Sequence, residues 1–157
     1  MRTFEELLAE HPFFQGLTPQ HLHIVGNCAA EDSYEPGSYI FREGEHAEHF
    51  YAIRKGKVAL EVVAPPRGPA TIETIEDGEA LGWSWFFPPY RWQFSARVVE
   101  PTQAFVLDGV CLRAKCDEDP EFGYEFLKRL AQIVVHRLQA TRLQLLDIYA
   151  VPTRGRR

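Results

Sequence analysis

Short β-type segments separated by glycine turns occupy the middle of this chain, from residue 32 to residue 108. These segments are rich in β-branched and aromatic residues, and a turn signal follows about every ten residues. The turn signals are Pro36–Gly37 and residues 43–45, 55–57, 65–69 and 77–79. Regular short strands joined by glycine turns are typical of a β-sandwich or β-barrel and not of a parallel βαβ sheet.

Helical segments flank this β region on both sides. Thr3 begins an amphipathic helix with Glu6 three residues later, and Thr18 begins another with Pro19 in its first turn. With 157 residues the chain has the length of one domain. We therefore expect a single domain over residues 1–157, made of N-terminal helices in 1–30, a β-barrel in 31–108, C-terminal helices in 109–150 and a basic tail in 151–157.

The last long helix carries an apolar stripe with alternating spacings of four and three residues. Such a heptad pattern predicts a seam between two helices. A monomer could bury this stripe against its own barrel, but a barrel flanked by one long helix offers little surface for it, so we expect a homodimer. The predicted dimer interface is Leu127, Ala131, Val134, Leu138, Thr141, Leu145 and Ile148.

Composition argues against several classes of protein. A net charge of -5 gives no general attraction to nucleic acid. The N-terminus has no leader pattern and no apolar run approaches the ~18 residues of a membrane span, so we expect a cytoplasmic protein without membrane contact.

Motifs for metal binding or catalysis are also missing from the sequence. Cys28, Cys111 and Cys116 form an odd set at unhelpful spacings, so we expect free buried thiols and no metal site. His46 and His49 lie three residues apart but have no third ligand, and we interpret them as ordinary surface histidines. The sequence has no nucleophile motif, no pair of carboxylates that would flank a pocket and no glycine-rich phosphate loop. We therefore expect no catalytic residues and no enzyme activity.

Three ordered matches carry a resemblance to a known family. They are residues 34–45 with 50–58, residues 77–82 with 95–98, and residues 137–141 on the long helix. In this order they resemble the catabolite activator protein family and cyclic-nucleotide-binding domains generally. The resemblance implies a mainly β fold, a double-stranded β-helix or jelly-roll barrel, with N-terminal helices and a long C-terminal dimerisation helix.

The sequence departs from that family in the phosphate-binding cassette. The resemblance implies a glutamate for the ribose hydroxyl and an arginine for the cyclic phosphate, but these positions hold Trp83 and Phe94. Neither side chain can replace a charge-assisted hydrogen bond to a buried phosphate, which contributes ~1.5 to 3 kcal/mol. The segment 83–94 contains all three tryptophans, and we call it the aromatic cassette.

Three interpretations of the aromatic cassette remain open. Trp83 and Phe94 fill the old pocket and leave a structural module without ligand; or a different aromatic or apolar small ligand stacks there; or Arg91 takes over the phosphate of a cyclic nucleotide. No cofactor is required by the sequence beyond such a candidate ligand. The candidate ligand-binding residues are Gly82, Trp83, Ser84, Trp85, Arg91, Phe94, Ser95, Ala96, Thr141 and Arg142.

These observations predict a regulatory sensor of the cyclic-nucleotide-binding type. Family regulators place a hinge and a DNA-binding domain after the long helix, and this sequence ends almost where that hinge would begin. We therefore expect a stand-alone sensor that acts through a protein partner and does not bind cyclic AMP in the usual way. The alternatives are a plugged structural module and retained cyclic-nucleotide binding through Arg91.

Overall fold

The computed structural model describes the backbone of residues 3–63, 66 and 68–155, and side chains as far as residue 143. Helices α1 (Phe4–Glu10) and α2 (Pro19–Asn27) enclose a 3-10 turn, Pro12–Phe14. The capping box predicted at Thr3 is present: the Glu6 amide donates to the Thr3 hydroxyl at 3.1 Å, and the Thr3 amide donates to Glu6 Oε1 at 2.8 Å. Local sequence thus determines how α1 begins.

An antiparallel sheet of six strands forms the barrel within the described residues. The strand order is β1-β6-β3-β4, with β2 paired to β6 and β5 paired to β3. The cassette connects β5 to β6 and therefore lies beside the two central strands. The strands are β1 (Ala29–Tyr34), β2 (Tyr39–Phe41), β3 (His49–Val63), β4 (Pro69–Glu76), β5 (Ala80–Leu81) and β6 (Ser95–Asp108).

The turn predicted at residues 55–57 is wrong, because β3 continues through it as one strand of 15 residues. Gly56 instead marks an irregularity, where the pairing register between β3 and β6 shifts. Its φ is +133°, and a Cβ added to it would lie only 2.3 Å from the Thr102 hydroxyl oxygen, which explains why glycine is required there. The prediction that Gly56 adopts a positive φ was correct, but this conformation occurs at a register shift within β3 and not in a turn.

Two helices follow the barrel, α3 (Gly109–Glu118) and α4 (Pro120–Gly155). Helix α4 continues to Gly155, beyond the end predicted at residue 150, so much of the expected basic tail is helical in its backbone. The inner side of α4 buries Phe122, Phe126, Leu130 and Arg137 against the rest of the protein. No described helix is long and apolar enough to cross a membrane.

The predicted seam lies on the outer side of α4. Leu127 is 43% exposed and Leu138 is 59% exposed, while Ala131 and Thr141 are exposed and Val134 is half-buried. The side chains of Leu145 and Ile148 lie outside the described residues. A single copy of the chain therefore leaves most of the described stripe uncovered, as the heptad pattern predicts for a helix that has a partner.

The prediction of three free thiols is wrong for two of them. Cys28, at the end of α2, and Cys111, on α3, form a disulfide with a Cα–Cα distance of 5.7 Å. Cys116 is free and partly buried, and burial raises the pKa of its thiol to about 11. The two bonded cysteines are 83 residues apart in sequence. Only the fold, by packing α3 near the end of α2, brings them within bonding distance.

Candidate ligand site in the aromatic cassette

Gly82 and the Trp92 ring lie close together in the cassette. Gly82 has a φ of +93°, and a Cβ added to it would lie 2.5 Å from the Trp92 ring. Trp92 is 2% exposed and stacks on Phe41 with a centroid distance of 3.7 Å and an interplanar angle of 8°. Trp92 was not among the predicted site residues, although the concentration of tryptophan in this segment was a signal for it. Its indole fills part of the space inside the barrel.

Trp83 and Phe94, the two departures from the family pattern, lie next to each other. Their ring centroids are 6.2 Å apart in an edge-to-face arrangement. Phe94 is buried at 4% exposure, whereas Trp83 is half-buried. The structure therefore brings together the two positions that the resemblance assigns to ribose and phosphate recognition, and it presents aromatic faces there.

Arg137 reaches from α4 to these two rings. Its guanidinium carbon lies 5.0 Å from the centroid of Trp83 and 5.0 Å from that of Phe94, a cation–π geometry on both sides. Glu73 on β4 forms an ion pair with its Nε atom. Burial lowers the pKa of Arg137, and the charge and hydrogen bonding of Glu73 oppose that shift. A cation from the helix thus lies beside the two positions that the resemblance assigns to ribose and phosphate recognition.

Neither Arg137 nor Glu73 was predicted as a site residue. Arg137 follows Phe126, Leu130 and Ile133 on the inner side of α4, at helical spacing. A charged residue in an otherwise apolar stripe is a signal that could have found it. Glu73 carried no such signal, because β4 has no strict alternation around it: Ile72 precedes Glu73 and Thr74 follows it.

Trp85 lies in the core and not on the wall of a ligand cavity. It is 0% exposed and packs against Phe50 and Phe126, at centroid distances of 5.4 and 5.8 Å. Its indole Nε1 donates to the Gly82 carbonyl at 3.2 Å. The expectation that Trp85 stacks on a ligand therefore does not agree with its position, because aromatic neighbours already cover its ring.

The polar groups predicted to receive a ligand are bonded to the 43–46 turn. The Arg91 guanidinium is exposed and donates to the Gly44 carbonyl at 3.1 Å, and its backbone pairs with His46. The Ser95 hydroxyl accepts from the Glu43 amide at 2.8 Å. Ser84 and Ala96 are buried. Arg91 is therefore not at the faces of Trp83 and Phe94, where Arg137 lies.

Thr141 and Arg142 are exposed on the same turn of α4. The Thr141 hydroxyl donates to the Arg137 carbonyl of its own helix at 2.9 Å. The expected role of these two residues in binding a ligand stays a prediction. Among the described residues, no group of histidine, cysteine and carboxylate side chains is arranged to hold a metal ion.

Comparison with known proteins decides the family. The sequence-family model of the cyclic nucleotide-binding domain matches residues 31–119, which is more than half of the chain. This chain belongs to the cyclic nucleotide-binding domain family. The predicted barrel fold and the resemblance to catabolite activators are confirmed.

Relatives of this cyclic nucleotide-binding domain include regulators of transcription. A CRP-like cAMP-activated global transcriptional regulator from Mycobacterium tuberculosis is 26% identical over 97% of this chain, which spans 66% of that protein's length. A Geobacter metallireducens protein described as cyclic nucleotide-binding has 26% identity and a TM-score of 0.78, over 87% of this chain and 99% of the other. The catabolite activator protein of Thermus thermophilus has 25% identity and a TM-score of 0.70, over 88% and 63%.

Proposed function

We propose that this cyclic nucleotide-binding domain is a regulatory sensor that does not bind cyclic AMP in the manner of its family. One observation carries the proposal: the Arg137 guanidinium lies over the rings of both Trp83 and Phe94 and forms an ion pair with Glu73. Side chains of the protein itself thus fill the space in the cassette, and Glu73 already pairs with the positive charge that lies beside it.

The energetics of phosphate binding support this proposal. A cyclic phosphate would need a free cation, and separating Arg137 from Glu73 leaves one buried carboxylate without its partner. A nucleotide would also have to displace aromatic rings that already contact each other. The missing charge-assisted hydrogen bond contributes about 1.5 to 3 kcal/mol in a site of this kind, so affinity for cyclic AMP should fall well below that of an intact cassette.

The proposed working form is a homodimer through α4. A groove of about 530 Å³ runs between the cassette and α4, and the seam residues Leu127, Ala131 and Val134 form one of its walls. Trp83 and Phe87 contribute to the opposite wall. A second copy's α4, following the same heptad seam, would cover this groove and contact the cassette. The packing of cassette against helix would then be coupled to the dimer.

The proposed output is a change in barrel and helix packing that a protein partner recognises. The net charge of -5 favours a protein over nucleic acid as this partner. A second candidate is a purely structural module that binds no ligand. The aromatic side chains that fill the cassette also favour this candidate. Tryptophan fluorescence separates the two, because every tryptophan lies in the cassette and a sensor must change their surroundings.

Titration with cyclic AMP and cyclic GMP tests the proposal. We expect that neither nucleotide shifts the melting temperature of the wild-type chain at about 1 mM, a concentration that detects millimolar affinity. Saturable stabilisation would amount to about 2.7 kcal/mol at a hundredfold excess over the dissociation constant, or several degrees. Such a shift with either nucleotide would contradict the proposal. The double variant W83E/F94R, which has the residue types that the resemblance implies at these positions, is titrated in the same way for comparison with the wild type.

A further inference from the structure

A second cleft lies on the other side of Arg137, and we call it the α4–β4 cleft. It is bounded by β4, by the 3-10 turn at Pro12–Phe14 and by the inner edge of α4, and its volume is about 560 Å³. This volume is typical of sites for small molecules. Arg137 and Glu73 both line it, so the ion pair of the cassette also faces this cleft.

Arg137 has hydrogen-bonding capacity that the described residues do not satisfy. The residue is 7% exposed, and its Nη1 atom is buried without a hydrogen-bond partner in the described part of the chain. Buried donors of this kind are rare, because leaving one unpaired is unfavourable. A guanidinium fork that is only partly used by Glu73 matches the two oxygens of a carboxylate.

The other cations of the α4–β4 cleft are already engaged. Glu125 accepts from Arg129 at 3.0 Å and lies 3.2 Å from the Lys128 ammonium. Arg129 also donates from Nη2 to the Gln15 carbonyl at 2.7 Å. These contacts pair both charges with groups of the chain itself. Among the described cations that line this cleft, only Arg137 has a buried donor without a hydrogen-bond partner.

The remaining charged groups allow one added negative charge. Glu79 accepts a hydrogen bond from the Glu76 amide at 2.7 Å. His136 Nε2 lies 3.6 Å from Glu73 Oε2 and is largely exposed. Phe13, Ile75 and Ile133 supply an apolar part of the lining.

We propose that the α4–β4 cleft binds a small carboxylic acid with an apolar body, whose carboxylate is bound by Arg137. Binding at the unused Nη1 donor would leave the Nε contact with Glu73 in place and change the contact of the guanidinium with Trp83 and Phe94. The inference rests on the proposed function, since it names the chemical class of the input that the altered cassette senses.

Calorimetry and thermal shift on the full chain with 3-phenylpropionate and hexanoate test this inference, with 3-phenylpropionamide as the uncharged match. We expect binding of the acids with a dissociation constant below about 1 mM and at least tenfold weaker binding of the amide. Arg137→Gln should weaken the acids at least tenfold, whereas Arg42→Gln, an exposed arginine outside the cleft, should leave them unchanged. Tryptophan fluorescence should respond to the acids.

Ile133→Trp gives an independent test, because it fills the cleft and keeps Arg137; it should also abolish binding of the acids. Three results would each overturn the inference. The first is that neither acid binds at 10 mM, which is about ten times the expected limit. The others are equal binding of the amide and unchanged binding of the acids in either cleft variant. Cyclic AMP binding that persists in Ile133→Trp would instead count against the proposed function, so the two failures are distinguishable.

Discussion

The Nε atom of Arg137 on α4 forms an ion pair with Oε1 of Glu73 on β4, and the two side chains are 9% and 12% exposed. This contact joins the long helix to the barrel beside Trp83 and Phe94. Because the helix also carries the predicted dimer seam, a change at the ion pair would reach both the cassette and the dimer interface.

Removing the charge of Glu73 should destabilise the protein. Glu73→Gln leaves the buried Arg137 guanidinium without its counter-ion, so we expect a loss of about 3 kcal/mol in the free energy of unfolding. Urea unfolding measures it. Glu100→Gln is the matched control, because Glu100 pairs with Lys57 on the surface at 3.6 Å, and should cost less than about 1 kcal/mol. Equal small losses in both variants would show that the ion pair is not structural.

Gly82→Ala should disturb the cassette directly. The added methyl would collide with the Trp92 ring, and φ at this position is +93°. We expect a loss of about 3 kcal/mol together with a shift in tryptophan emission. Gly37→Ala is the control for backbone strain alone, because Gly37 has a φ of +89° and no atom within 4 Å of an added Cβ. It should cost about 1 kcal/mol. A similar loss in both variants would contradict the predicted collision.

His11 should make stability fall at acid pH. Its Nε2 lies 2.7 Å from the Ile53 carbonyl and its Nδ1 accepts from the Phe13 amide, which requires a neutral ring. Burial lowers the pKa of His11, more than its backbone hydrogen bonds raise it. Below about pH 6.5 the unfolded chain binds a proton that the folded chain excludes, so stability is full above that pH and declines below it.

Urea unfolding between pH 5 and pH 8 (about 1.5 units either side of the unfolded histidine pKa) checks this. His11→Gln can still donate to Ile53 but cannot titrate, and should flatten the decline. His46→Asn, at an exposed histidine, should leave it as in the wild type. An unchanged slope in His11→Gln would exclude His11 as its cause.

Reduction of the Cys28–Cys111 disulfide should lower the melting temperature. The bond closes a segment of 83 residues, and the chain-entropy model gives about 4.5 kcal/mol for a loop of that length. Thermal unfolding with and without dithiothreitol measures the effect. The double variant C28S/C111S should melt as the reduced protein does, whereas Cys116→Ser should retain sensitivity to the reductant. Identical melting of the reduced and oxidised chain would refute the prediction.

Leu138→Glu should dissociate the proposed dimer. Two glutamates facing each other at an a position would bury like charges in the seam, so association should weaken more than about tenfold. Sedimentation of the wild type should give twice the 18.0 kDa chain mass. Gln139→Glu adds the same charge at an outward position and should remain dimeric. A monomeric wild type at high concentration would disprove the dimer.

Local patterns in the sequence determined much of this protein. The capping box at Thr3 and the heptad stripe on α4 act over a few residues, so each could be interpreted without knowledge of the fold. The position and aromatic character of the cassette followed from the family pattern around Gly82. Glycine at residue 56 indicated an unusual backbone conformation, but the partner strand made it an irregularity within β3 and not a turn.

Tertiary structure alone decided which side chains meet. The disulfide joins residues 83 positions apart, and Arg137 meets Glu73 only because α4 packs across β4. Arg91 was the arginine nearest to the altered positions in sequence, yet it donates to Gly44 on the surface. Sequence spacing fixes neighbours within one helix or strand, whereas the contents of a pocket depend on how separate elements pack. Which side chains contact the cassette therefore depended on the tertiary structure.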